Sequence, residues 1–212
     1  MRQAIAQLSD TITYLEMRTR PPRPPLPVPQ GKLALMRAEP CTASFYRYLY
    51  SAVGEPWLWY VRRGWSDEQL ARWLARAEIE LSVLYVGGVP AGYFELERLS
   101  SGETELCYFG LVAAFVGRGL GAYFLRAAVD AGWQGATRRL WVHTSTYDHP
   151  RALGLYQRAG FQVYRRQKVT FDDPRLTGAL PRTLTHPLLP PLALPEAGEM
   201  PAGPAGGSES DG

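Results

Sequence analysis

Three glycines at alternate positions, Gly117, Gly119 and Gly121, stand between an apolar run, Phe109 to Phe115, and a segment that repeats apolar residues at helical spacing, Leu120, Phe124, Ala127, Ala128 and Ala131. A helix start carries unpaired backbone N–H groups and the positive end of the helix dipole. Glycines remove the side chains that would hold an anion away. The combination predicts a phosphate cradle at a helix N-terminus. A tight strand-to-helix turn with packing glycines would use the same residues without a ligand. A dinucleotide fold is a further reading, since Gly117, Gly119 and Ala122 satisfy the G-x-G-x-x-G/A spacing. That fold requires an acid at the end of the next strand, and Leu140–Thr144 ends without one.

A second constellation lies downstream, His149-Pro150-Arg151-Ala152-Leu153-Gly154-Leu155-Tyr156-Gln157-Arg158-Ala159-Gly160-Phe161. The glycine loop and this segment, in order and separated by one helix and one strand, resemble the GNAT family of acyl-CoA-dependent N-acetyltransferases. Its members carry Q/R-x-x-G-x-G/A opening a helix and, further on, N-x-x-A-x-x-x-Y-x-x-x-G-F. The resemblance extends over roughly Leu33 to Lys168. Two positions depart from the pattern. Val116 replaces the first Q/R, with Arg118 two residues on as a substitute cation, and His149 replaces the Asn.

The resemblance implies an α+β GNAT fold, with a mixed, mostly antiparallel sheet flanked by helices, and transfer of an acetyl group from acetyl-CoA to a primary amine in a ternary complex. Phe109, Leu111, Gly117, Arg118, Gly119, Gly121, Ala122 and His149 would bind the acetyl-CoA, the backbone around Phe109–Leu111 polarising the thioester carbonyl as an oxyanion hole does. An amine with a pKa near 10.4 needs about 4.6 kcal/mol to reach its neutral form at pH 7, so a base matters. The resemblance places Glu105 in that role, with Glu95 and Glu97 in reserve, and makes Tyr156 the acid that meets the leaving thiolate. The expected acceptor is a small-molecule amine; a protein lysine or N-terminus, or an acyl-CoA-binding module without turnover, are the alternatives.

Other reactive residues read more plainly. Cys107, inside an apolar strand, is a small hydrophobe. His143, Asp148 and His149 lack a convincing third ligand for a metal, and no metal is expected; His143 is an auxiliary base candidate. The aromatic group Phe45 to Tyr60 is either a core layer or an acceptor box.

These residues need elements to hold them. Strands are predicted at Thr11–Met17, Lys32–Arg37, Leu81–Val86, Ala91–Glu97, Glu103–Val112, Arg139–Thr144 and Phe161–Val169, and helices at Glu39–Val53, from a capping box at Ser66–Gln69 through Ala77, from the glycines to Trp133, and at Pro150–Ala159. Gly87-Gly88 marks a hairpin. Residues 1–30 read as an extra strand and proline-rich connector, 31–172 as the acetyltransferase domain, and 173–212 as a tail whose end, Glu199–Gly212, is expected to be disordered. Apolar residues make up 46% of the 212, enough for a core, and the net charge is +3. That balance argues against nucleic acid. No stretch is long and apolar enough to span a membrane. Two cysteines suggest a reducing compartment. The expectation is a cytoplasmic enzyme, with a homodimer admitted.

Overall fold

The computed structural model describes residues 6–22 and 27–192. One seven-stranded sheet organises them. Its strands are β1 (Gln7–Met17), β2 (Leu33–Arg37), β3 (Ile79–Val86), β4 (Val89–Arg98), β5 (Glu103–Leu111), β6 (Arg139–Thr144) and β7 (Gln162–Asp172), in the spatial order β2-β3-β4-β5-β6-β1-β7. Every neighbouring pair is antiparallel except β5 and β6. The helices are α1 (Ala43–Gly54), α2 (Asp67–Leu74), α3 (Leu120–Gly132) and α4 (Ala152–Arg158). This is the mixed, mostly antiparallel α+β architecture that the sequence predicts.

Local chemistry explains most boundaries. The Thr42 side chain accepts from the Phe45 N–H, so α1 starts after Pro40 rather than at Glu39. Ser66 and Gln69 form the reciprocal capping box that opens α2. Gly87 and Gly88 both take positive φ, +61° and +87°, as a two-residue hairpin between β3 and β4 demands.

Strand β1 begins four residues earlier than its apolar alternation suggests and sits between β6 and β7. The sheet therefore draws strands from both sides of the proline-rich connector, of which residues 23–26 lie outside the described residues.

The sheet is covered on both faces. On one, Phe124, Leu125 and Val129 of α3 and Tyr156 of α4 pack on Phe94, Leu96, Leu106, Leu140 and Val142. On the other, Tyr46, Leu49, Tyr50 and Val53 of α1 and Leu70 of α2 pack on Leu81, Val83 and Tyr93. A third cluster joins Leu8 of β1 and Leu58 to Tyr147, Leu180 and Leu189. The C-terminal segment thus folds back onto the sheet as far as residue 192. The Asp173 N–H bonds to the Ala6 carbonyl at 2.9 Å, and buried Arg175 reaches Asp173 and, at 3.0 Å, the Pro190 carbonyl. Residues 199–212, expected to be disordered, lie outside the described residues.

Backbones approach closely where β4 meets β5. A Cβ on Gly92 would lie 2.4 Å from the Gly110 carbonyl oxygen and 3.1 Å from the Leu111 Cα. Because backbone cannot yield there, Gly92→Ala should destabilise the protein by about 1–3 kcal/mol, read as a lower urea midpoint at unchanged m-value.

Candidate active site

The site arises where a ladder stops. Strand β5 pairs with β6 from Glu103–Arg139 to Leu106–Val142 and no further. At the same point Cys107 is an extra residue against β4, where the register moves from Leu96–Leu106 to Glu95–Tyr108. A bulge of this kind bends its strand. Beyond it β5 follows β4, while β6 follows β1 as far as Thr13–Thr144. The diverging strands leave a cleft of about 760 Å³. Along it, the backbone of Cys107–Leu111 has no strand partner on its β6 side among the described residues.

One part of the cleft wall is the glycine loop. Gly117, Gly119, Gly121 and Ala122 line it, with Phe109 and Leu111 of β5 and His149 before α4. Gly117 and Gly119 hold φ of +82° and +76°, and a Cβ on either would meet nothing within 4 Å. No side chain caps α3, so its first N–H groups remain free for an anion. The loop thus fits a pyrophosphate, both in shape and in donors. Arg118 does not line the cleft; its guanidinium stacks on Phe115, 5.1 Å from the ring centroid. His149 accepts the Arg151 N–H through Nδ1 at 3.0 Å, leaving Nε2 as its other polar atom.

The reactive candidates divide. Tyr156 lines the cleft, its ring edge-on to Phe109 and Phe161. Burial, then the Asp148 charge, push its phenol well up, so it remains a proton donor through neutral pH. Glu105 does not line the cleft. Its carboxylate lies 3.4 Å from Nδ1 of His143, which does. Glu97 approaches Glu105 and Cys107, with donor atoms within 4.8 Å of one another. Arg76 pairs with Glu97 at 2.9 Å, and burial with the nearby carboxylates raises the Cys107 thiol well above its usual range. Glu95 is fully buried away from the cleft, pushed up by burial against the pull of Arg62 and of hydrogen bonds from Tyr46 and Trp73.

Another part of the cleft wall brings together residues that sequence reasoning did not connect. Asp10 accepts from the Ser145 hydroxyl at 2.7 Å and the Thr146 N–H at 2.8 Å. Asp148 accepts from Thr144 at 2.7 Å, the Ser145 N–H at 2.8 Å and the Trp59 indole at 3.2 Å. Around them stand Trp57, Tyr60, Tyr147 and Phe171. Trp57, Trp59 and Tyr60 belong to the aromatic group noted in the sequence; Trp59 also packs in the core, where a Cβ on Gly54 would fall 2.3 Å from its ring.

A model of the acetyltransferase (GNAT) family matches residues 45–161, more than half of the chain. The chain belongs to the GNAT family. Solved structures with the same fold include a GCN5-related N-acetyltransferase from Sphaerobacter thermophilus, at 19% identity and a TM-score of 0.58, covering 76% of this chain and 50% of that one. A Drosophila protein gives 13% identity and a TM-score of 0.55 over 80% of this chain and 52% of its own. A functionally unknown conserved protein from Staphylococcus epidermidis gives 13% and 0.50, over 79% and 63%. The chain thus spans half to just under two thirds of the length of these structures. No curated protein matches in sequence. Among the described residues, no helix is long and apolar enough to cross a membrane.

In this member of the GNAT family the turns from Glu55 to Gly64 bring Trp57–Val61 to the cleft, and a buried ion pair anchors them. Arg62 reaches Glu95 at 3.1 Å, its guanidinium seated in the corner made by the edge-on rings of Trp65 and Trp73, 3.8 and 4.1 Å from their centroids. Tyr46 of α1 and Trp73 of α2 donate to the same carboxylate at 2.6 and 2.9 Å. Removing one partner strands a buried charge. Arg62→Leu should therefore cost about 3–5 kcal/mol in urea unfolding, and the double change Arg62→Leu with Glu95→Leu should recover more than half of that loss.

Proposed function

We propose that the protein transfers the acetyl group of acetyl-CoA directly to a small primary amine in a ternary complex. The observation that carries this reading is the parting of β5 and β6 beside an uncapped helix start, in a chain of the GNAT family. The N–H groups at the start of α3 would hold the pyrophosphate. The open edge of Cys107–Leu111 would pair with the pantetheine arm as an added strand would, and its N–H groups would polarise the thioester carbonyl.

Proton movements fall to side chains lining the cleft or touching those that do. His143 would take the amine proton at Nε2. Glu105, with a carboxylate oxygen 3.4 Å from Nδ1, would favour the tautomer that carries its proton on Nδ1 and leaves Nε2 free to accept. In this reading Glu105 is a positioning residue for His143, which is itself the base. Tyr156, kept protonated by burial, would donate to the departing thiolate as the C–S bond breaks and the amide C–N bond forms.

Calorimetric titration should show micromolar acetyl-CoA binding that Gly119→Glu abolishes, with NAD(P)H giving no heat. NAD(P)H binding in place of acetyl-CoA would overturn the reading. With an amine turned over by the wild type, thiol release should fall at least about a hundredfold in Tyr156→Phe and in His143→Gln at pH 7. The His143→Gln loss should shrink as the pH rises toward the amine's own pKa, near 10.4, because a neutral amine needs no base. A pH-independent loss would exclude the base role.

A further inference from the structure

Two carboxylates in the cleft wall, Asp10 and Asp148, are hydrogen-bonded within the chain but have no cation paired with them among the described residues. Asp10 is 6% exposed, and Asp148 lies beside it on the far side of Ser145, whose hydroxyl bonds to Asp10 and whose N–H bonds to Asp148. Among the described residues neither carboxylate forms an ion pair, although fourteen pairs occur elsewhere in the chain. The lining holds two guanidinium groups, Arg151 and Arg158. Arg151 precedes α4 and Arg158 is its last residue, and Leu155 of the same helix packs beside Gly121 of the glycine loop. Hydrogen bonds offset part of the cost of burying the Asp10 carboxylate without a cation, and half-buried Asp148 adds a second negative charge to the same wall. A ligand that supplies the cation offsets that cost.

The walls beside these carboxylates are aromatic. Tyr60 stacks on Phe171 with centroids 5.8 Å apart, and Tyr147 meets Phe171 edge-on at 6.0 Å. Trp57 stands edge-on to His149 at 5.0 Å. Behind them the C-terminal segment closes the wall. Leu180 and Leu189 pack with Tyr147, Tyr60 and Phe171, and His186 lies against Tyr147 at 5.5 Å and Trp57 at 6.3 Å. A cation beside aromatic faces gains from both neighbours.

We propose that the acceptor is a small primary amine that enters as its cation on an aromatic or apolar body and carries no carboxylate of its own. This rests on the transfer reading above and narrows its substrate class. An amino acid would bring its own carboxylate against Asp10 and Asp148, and like charges at a buried contact are strongly disfavoured. A peptide lysine would have to thread its chain past the C-terminal segment.

Matched pairs of probes test this directly: tyramine against tyrosine and tryptamine against tryptophan, with a lysine-containing peptide as a fifth probe. Binding is measured by calorimetry on the full-length protein without acetyl-CoA, so that no turnover is needed. Each amine should bind at least about tenfold tighter than its amino acid. The peptide should bind more weakly than either amine. Asp10→Asn, which preserves the size of the side chain, should narrow the amine-to-amino-acid gap at least about threefold while leaving acetyl-CoA affinity within about twofold. Equal affinity for amine and amino acid, or tighter binding of the peptide, would overturn the proposal. Failure of acetyl-CoA to bind in the parallel titration would instead remove the transfer reading, so the two failures are distinguishable.

Discussion

Backbone N–H and C=O groups on the β6 side of Cys107–Leu111 lack a strand partner among the described residues, because β6 turns away to follow β1 after Val142. Open backbone inside a folded chain must find other partners. The bulge at Cys107 bends β5 away from its neighbour, and Gly110 lets Val53 of α1 close on the bent strand; a Cβ there would fall 2.4 Å from the Val53 methyl. The glycine loop and the Asp10–Asp148 pair both line the opening left by this divergence. On the proposed reading, acyl donor and acceptor would meet at one peptide edge, as direct transfer requires.

These two parts of the wall are held by different physics. At the glycine loop, backbone is the functional group, so what matters is the absence of side chains and the uncapped start of α3. At the carboxylate pair, side chains must be fixed. Arg62 and Glu95 tie the turns after α1 to β4 and α2 through a stacked, buried ion pair. Arg175 and Asp173 clamp the C-terminal segment; although burial opposes it, the Arg175 hydrogen bonds hold the Asp173 carboxyl below its usual range. Such pairs contribute little net stability compared with apolar replacements, but they restrict geometry, and each is costly to break from one side.

Much of this was legible in the sequence where the signal is local. Strand β6 has the predicted bounds, the Ser66–Gln69 box caps α2, and the alternating glycines open α3. What depends on contacts between distant segments was not. Nothing near Thr11 signals that β1 inserts between β6 and β7, or that Asp10 meets Ser145 at a separation of 135 residues. The strand period of β5 does not show that the Glu105 carboxylate lies 3.4 Å from His143, which is on another strand. The spacing puts Arg118 in the loop but does not show that its guanidinium lies over Phe115. The segment after Asp172 has no period at all, and its Leu180 and Leu189 are buried by β1, Leu58 and Tyr147 instead of by a regular element of their own.

Hydrogen exchange of the backbone, followed by mass spectrometry with and without acetyl-CoA, tests the central claim most directly. If the open edge of β5 and the start of α3 receive the acyl donor, peptides covering Cys107–Leu111 and Leu120–Ala122 should gain the strongest protection, with little change in β2 and β3. Binding that protects neither segment, or protects a different face of the sheet, would contradict the account.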